Sequence, residues 1–154
     1  MSELADRMQQ DLTEAMKARD QVRVATLRMA ISAVREEAVS GSSARELTDA
    51  EVEKVLRTQV KRRDEAAEAF QAAGRDEQAA KELDERAILS AYLPEEMGDE
   101  ELDALVEEAL STGGFTEPSQ MGQAMNTVMA AVAGRAEGKR VSAMVKAKLT
   151  GHGG

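Results

Sequence analysis

The sequence predicts an all-α protein. Its commonest residues are strong helix formers such as Ala, Glu, Leu, Lys, Arg, Gln and Met, and the alternation of β-branched and polar residues typical of strands is nearly absent. Apolar residues instead recur at three- and four-residue intervals along successive segments. Because only Phe70, Tyr92 and Phe115 are aromatic, the core must be built from aliphatic side chains, alanine and nine methionines.

Two helices are predicted at the start of the chain. The first covers about 2–19, where one face carries apolar residues from Leu4 to Met16. The second covers about 21–39, and it ends before the Ser-Gly-Ser-Ser sequence that begins at Ser40.

The third and fourth helices have clearer start and stop signals. Thr48 and Glu51 have the spacing of a capping box, which predicts that the third helix begins there, and Gly74 closes it. Asp76 is expected to cap the fourth helix, and Pro94 is expected to terminate it.

After Pro94 the sequence changes character, because acids and bases separate into two blocks. Positions 94–120 hold nine acids and no base, whereas positions 121–154 hold five bases and one acid. A helix is predicted over about 99–111, and two shorter helices, the first over about 121–132, flank the turn from Gly134 to Gly138. Such charge segregation indicates a second structural unit.

The predicted architecture is therefore an N-terminal four-helix domain over 1–93 and a smaller C-terminal three-helix domain over 94–150. A disordered tail is expected over 151–154, where His152 is the sole histidine. The ring of Tyr92 is expected to anchor the interface between the two domains, and the protein is expected to be a monomer.

Composition excludes several classes of function. Without cysteine there are no disulfides, thiolate zinc sites or cysteine nucleophiles, and no nucleophile–base pair or metal cluster is visible. We therefore expect no cofactor, no metal and no enzymatic activity of the chain alone. The polar N-terminus lacks the apolar core of a signal peptide, and no stretch could span a bilayer, so a cytoplasmic protein without a membrane partner is expected.

The net charge of −9 repels nucleic acids, so any anionic partner must meet a local basic patch. One candidate is the turn between Gly134 and Gly138, where Arg135, Lys139 and Arg140 could bind phosphate together with the amides that begin the last helix. The alternative is that Gly134 is a left-handed helix cap and Gly138 merely completes an interhelical turn.

A second basic patch lies in the third helix and could track a nucleic-acid backbone. Its members are Lys54, Arg57 and Lys61, with Arg62 and Arg63 adjacent. The alternative is an ordinary solvated face with the pairs Glu53–Arg57 and Lys61–Glu65, each contributing about 0.2–0.5 kcal/mol.

A stripe of methionines in the C-terminal domain also allows two interpretations. The residues are Met121, Met125, Met129 and Met144. They could form an adaptable groove for a partner, or they could fill the core of a domain that has few aromatic residues.

Several short motifs follow one another in an order that resembles a known family. They are Asp11-Leu12, Ala15-Met16-Lys17-Ala18-Arg19-Asp20, Thr26-Leu27-Arg28, Val60-Lys61-Arg62-Arg63, Phe70, Ala73-Gly74-Arg75, Tyr92-Leu93-Pro94, Met121-Gly122, Met125, Gly134-Arg135-Ala136-Glu137-Gly138 and Val145-Lys146. Together they resemble the stand-alone YqeY-like proteins of the GatB/YqeY group over nearly the whole chain. Glu137 stands where the family pattern usually has Asp.

The resemblance implies an all-helical protein related to the GatB tail domain of the glutamine-dependent tRNA amidotransferases. That tail contacts tRNA, whereas the catalytic domains that justify the family label, a carbon–nitrogen ligase with glutamine as amide donor, have no counterpart here. The implied function is a tRNA-associated accessory module that binds tRNA or a tRNA-handling enzyme. Its expected contact residues are Gly134, Arg135, Gly138, Lys139, Arg140 and Lys146, with Lys54, Arg57 and Lys61 as a secondary ridge. The alternative function is a protein–protein interaction module that uses the acidic segment 94–120.

Overall fold

The structure is a computed structural model that describes residues 2–151, and every regular element in that range is helical, which confirms the all-α prediction. The seven α-helices are α1 (Glu3–Ala18), α2 (Gln21–Ala38), α3 (Asp49–Ala72), α4 (Asp76–Ser90), α5 (Asp99–Gly113), α6 (Met121–Val132) and α7 (Gly138–Gly151). A short 3-10 helix, Pro118–Gln120, precedes α6. None of the helices within residues 2–151 combines the length and hydropathy needed to cross a membrane.

The chain forms two compact units, Met1–Leu93 and Pro94–Gly154. The boundary fits the division predicted at Pro94, and the independence of each unit as a folding domain stays a prediction. The last helix extends to Gly151, one residue into the predicted disordered tail. His152 and the remainder of that tail lie outside the described residues.

The first unit begins with an antiparallel pair of helices joined by a very short turn. Arg19 adopts a left-handed backbone with φ of 56°, which lets the chain reverse within two residues. The Asp20 carboxylate then accepts the N–H of Arg23 at 3.2 Å and caps α2. Leu4, Met8 and Leu27 of this pair are buried in the core of the unit.

The start of α3 confirms the predicted capping box. The Thr48 hydroxyl accepts the Glu51 N–H at 3.2 Å, and the Glu51 carboxylate accepts the Thr48 N–H at 3.2 Å. Arg45 adds a two-pronged contact to the same carboxylate, and these bonds lower the pKa of Glu51 to about 2. Because the folded-state pKa is depressed, this contribution to stability is present above about pH 4.5 and is lost as the pH falls through the folded-state value.

Two predictions about α4 are wrong. Asp76 is the first helical residue rather than the cap, because Arg75 occupies the N-cap position without a side-chain hydrogen bond. At that position the Asp76 carboxylate still lies near the positive end of the helix dipole. The helix also ends at Ser90, so Tyr92 and Leu93 belong to the turn that follows, and Pro94 does not terminate the helix directly.

The ring of Tyr92 lies in the core of the first unit, and its expected role at the interface between the units stays a prediction. The side chain is only 6% exposed and packs in a cluster that includes Leu4 and Met8. Its hydroxyl donates to the Asp11 carboxylate, and the Arg7 guanidinium lies over the ring, 4.7 Å from the centroid. The end of α4 is thereby fastened to α1.

Burial, followed by the hydrogen bond to Asp11, raises the pKa of Tyr92 well above its ordinary value of 10.0. A raised folded-state pKa means that the stabilisation is complete below about pH 10 and is lost as the pH rises further. Because Tyr92 is the sole tyrosine and tryptophan is absent, its ionisation can be followed directly by near-ultraviolet tyrosinate absorbance. We expect no titration near pH 10 in the native protein and titration near pH 10 in urea. A native midpoint equal to that in urea would contradict the buried hydrogen bond.

An arginine is buried between the helices of the first unit. Arg63 is 5% exposed, and its guanidinium donates to the Gln59 side-chain oxygen at 2.8 Å and to the Gln59 carbonyl at 3.2 Å. Glu85 of α4 lies 3.6 Å away and supplies the opposite charge. This cluster joins α3 to α4 through buried polar contacts, and the ion pair between Asp64 and Arg86 joins the same two helices nearer the surface.

Candidate nucleic-acid interface

The turn between α6 and α7 is made by two consecutive residues in left-handed backbone conformation. Ala133 has φ of 50° and Gly134 has φ of 81°. The left-handed backbone at 134 favours glycine, which agrees with the interpretation of Gly134 as part of a left-handed helix cap. Gly138 is the first residue of α7, and a Cβ added there would meet open space. Neither steric crowding nor positive φ therefore requires glycine at position 138.

Arg135 ties this turn to the segment that leads into α5. Its Nε donates to the Glu95 carbonyl at 2.8 Å, and its two terminal nitrogens contact the Glu101 carboxylate at 2.9 and 3.4 Å. The backbone carbonyl of Arg135 also accepts the N–H of Met97 at 2.7 Å. Arg135 was predicted as a contact residue for nucleic acid, and the structure gives it these intramolecular partners.

The other bases of α7 that face α5 are paired as well. Arg140 Nη2 lies 2.8 Å from Asp99, and Lys148 Nζ lies 2.9 Å from Asp103 and 2.7 Å from Glu107. The acidic and basic blocks that are separate in sequence therefore meet in space. The basic turn and the acidic segment therefore partly neutralise each other, and each has less unpaired charge to offer a partner.

Lys148 is a residue that the sequence analysis did not single out. Its side chain is 14% exposed, and hydrogen bonds to Asp103 and then Glu107 raise its pKa. The signal available in the sequence was the i, i+4 spacing of Asp103 and Glu107, which places both carboxylates on one face of α5. Nothing local to α5, however, indicates which base they meet.

The Lys148 ammonium group contacts both of these carboxylates. Across residues 2–151, His, Cys, Asp and Glu side chains do not form any group of three suited to hold a metal ion. Asp103 and Glu107 therefore act here as ion-pair partners.

Two predicted contact residues keep their charge exposed. Lys139 and Lys146 have no ion pair with any residue in the range 2–151, and both side chains are exposed. They are seven residues apart on α7, which places them on the same face, about 10.5 Å apart along the helix axis. This face of α7 is defined here as the α7 lysine face.

The secondary ridge on α3 has two exposed members, and its role in binding stays a prediction. Lys54 and Lys61 are exposed, whereas Arg57 is half-buried and pairs with Glu53 at 3.9 Å. The second suggested pair, Lys61–Glu65, does not form in the structure as described for 2–151. Arg63, which was placed beside the ridge, points into the core instead.

The methionine stripe belongs to the core of the second unit. The four side chains are those of Met121, Met125, Met129 and Met144. All four are partly buried and pack against the apolar cluster formed by α5, α6 and α7. Ala124, Val128 and Val132 complete the buried face of α6. The core interpretation is therefore correct.

The family assignment rests on a match that spans both units. The model of the Yqey-like protein family matches residues 5–149. The chain belongs to the YqeY-like family. This confirms the resemblance drawn from the ordered motifs, and the matched range includes every candidate site residue of the turn, α7 and the α3 ridge. A comparison with curated proteins finds no significant match.

Proposed function

We propose that this YqeY-like protein is a tRNA-associated accessory module that contacts tRNA through the α7 lysine face. The observation that carries the proposal is the pair of exposed lysines, Lys139 and Lys146, on one face of α7 without a partner in residues 2–151. Family membership supports it, because the GatB/YqeY group includes the tail domain that contacts tRNA in the amidotransferases.

The ion pairs of the second unit make such binding physically reasonable in an acidic protein. Asp99 and Glu101, two acids of α5, are already neutralised by Arg140 and Arg135, whereas Glu137, which directly precedes α7, has no ion pair with any residue in the range 2–151. Arg140 uses one terminal nitrogen for Asp99, and a guanidinium has five N–H donors, so Arg140 can also reach a phosphate oxygen. Binding would depend on phosphates and shape, since no aromatic side chains are placed between these bases to stack on RNA bases.

The test is a pair of charge reversals at residues whose side chains form no ion pair within residues 2–151. Lys139→Glu with Lys146→Glu is expected to weaken binding of total tRNA in a filter-binding titration. If each lysine contacts one phosphate, the slope of log affinity against log salt should fall by about two. The matched control is Lys54→Glu with Lys61→Glu, which makes the same charge change on α3.

Equal losses in the two double variants would indicate a nonspecific effect of net charge and would contradict the assignment to α7. A loss confined to the α3 variant would move the contact surface to the ridge. Thermal melts by circular dichroism should be unchanged in both variants, because neither pair forms ion pairs in the part of the chain that the structure describes.

A second candidate function is a protein-interaction module, and a specific observation favours it. Six exposed acids of the second unit have no ion pair with any described residue: Glu95, Glu96, Glu100, Glu108, Glu117 and Glu137. They could contact a basic protein surface. Absence of tRNA binding at low salt, together with capture of a basic partner that is lost in Glu100→Gln with Glu108→Gln, would establish this function instead.

A further inference from the structure

A cleft in the first unit lies between the first half of α1, the start of α2 and the end of α4. Its volume is about 300 Å³, and seven residues line it: Arg7, Asp11, Arg23, Ala87, Ile88, Ala91 and Tyr92. This volume is at the lower end of the range for small-molecule sites. The cleft residues lie within the range that the family model matches, and none of them belongs to the α7 lysine face.

The cleft holds two guanidinium groups whose charge no carboxylate balances directly. Neither Arg7 nor Arg23 forms an ion pair with any acid among residues 2–151, although Asp11 lines the same cleft. Asp11 instead accepts the hydroxyl of Tyr92. With two positive groups and one negative group at its wall, the cleft has a net charge of +1 in a protein whose net charge is −9.

The geometry keeps one of these arginines in place and leaves most of its donors available. Arg7 lies over the Tyr92 ring at 4.7 Å, and its one hydrogen bond is a long one, 3.4 Å from Nη2 to the Ala91 carbonyl. Arg has five N–H donors in a fixed plane that suits bidentate contact with carboxylate or phosphate. Stacking on the ring restricts the guanidinium without consuming those donors.

The remaining wall of the cleft is apolar. Ala87 and Ile88 lie on the last turn of α4 and Ala91 is its C-cap residue, and all three line the cleft with Tyr92. A ligand that suits this cleft thus has an anionic end for the arginines and a short apolar body for the alanine and isoleucine side chains.

We propose that this cleft is a binding site for a small oxyanion ligand, a carboxylate or a phosphate ester with a short apolar group, held by Arg7 and Arg23. The ligand's oxygens accept N–H donors from both guanidinium groups. Asp11 accepts the Tyr92 hydroxyl and forms no ion pair with either arginine among residues 2–151, so both guanidinium groups keep donors for the ligand.

The experiment uses Tyr92 as the reporter, because it lines the cleft and is the sole tyrosine in a chain without tryptophan. The intact protein is titrated with inorganic phosphate and with butyrate, and sodium chloride at matched ionic strength serves as the blank. Tyrosine fluorescence is expected to change saturably with at least one of the two anions. Saturation with butyrate alone indicates a carboxylate ligand, and saturation with phosphate alone indicates a phosphate ester.

Arg23→Gln and Arg7→Gln are each expected to lower the affinity for the saturating anion by about tenfold, because each removes hydrogen bonds to a charged group. Lys81→Gln, which removes an exposed charge of α4 outside the cleft, is the matched control and should leave the affinity unchanged. If a glutamine variant fails to fold, the Nε–Hε resonances of Arg7 and Arg23 in the wild-type protein provide the readout, and they should shift with the same saturation curve.

No saturable change with either anion, or equal affinity in the arginine variants and the control, would overturn the proposal. None of these outcomes depends on tRNA binding.

Discussion

Replacing Arg63 with alanine is expected to lower the free energy of unfolding of the first unit by about 3 kcal/mol. The substitution removes the positive partner of Glu85, whose side chain is largely buried beside it, and leaves the Gln59 side-chain oxygen without its donor. Removing one partner of a buried ion pair destabilises the protein more than the intact pair stabilises it. The remaining carboxylate is still removed from water, and no opposite charge compensates for its lost hydration.

The measurement is urea denaturation followed by circular dichroism, together with amide hydrogen exchange to locate the loss. Protection should fall in α2, α3 and α4. Arg62→Ala is the matched control, because it removes an adjacent but exposed arginine and should change stability by less than about 0.5 kcal/mol. Equal effects of the two substitutions would show that Arg63 is not a buried structural residue.

Replacing Leu149 with alanine is expected to lower the free energy of unfolding of the second unit by about 3 kcal/mol. Leu149 has no exposed surface, and it packs in the cluster with Val141, Val145 and Leu102. The change removes buried methyl groups and leaves a cavity that the short α7 can fill only in part, so both the transfer term and the cavity term apply. The effect is large because Leu149 holds the last turn of the last helix against α5 and α6.

Hydrogen exchange should show loss of protection in α5, α6 and α7 and unchanged protection in α1 to α4. Leu83→Ala is the control, because it makes the same change at a side chain that is 41% exposed. It should lower the free energy of unfolding by less than about 1 kcal/mol. Loss of protection throughout the chain after Leu149→Ala would contradict the prediction that the two units are independent domains.

The helices were largely predictable from the sequence because their signals are local. The period of the apolar residues predicted α1, α2 and α6 almost to the residue, and the Thr48–Glu51 capping box identified the start of α3. The misses at the ends of α4 have a local cause too. Asp76 and Pro94 are typical boundary residues, yet the helix begins at Asp76 without using its side chain as a cap and ends four residues before Pro94.

Arg63 was missed because a run of basic residues usually indicates a solvated face. A signal was nonetheless present, since Arg63 falls on the buried stripe of α3: Val52, Leu56, Gln59, Arg63 and Ala67. The spacing alone would have placed it inward. The presence of Glu85 on the facing helix, which makes such burial tolerable, depends on how α3 packs against α4.

The candidate site was less predictable than the fold, since its chemistry depends on pairs that are distant in sequence. Arg135 pairs with Glu101, 34 residues away, and Arg140 pairs with Asp99, 41 residues away. No local pattern identifies these partners, because they are set by the packing of α7 on α5. The sequence showed two charged blocks, and the structure shows which members of the blocks remain exposed.

The position of Lys148 has a consequence for how relatives of this chain can vary. Most of its side chain is enclosed, next to the fully buried Leu149, and its amino group contacts two carboxylates of α5. Substitution of Lys148 alone removes the positive partner that Asp103 and Glu107 share on one helix face, and substitution of both acids removes both ion pairs of Lys148. Changes at these positions are therefore expected to occur together. In an alignment of YqeY-like proteins we expect position 148 to covary with positions 103 and 107, so that an apolar residue at 148 accompanies the loss of at least one of the two acids.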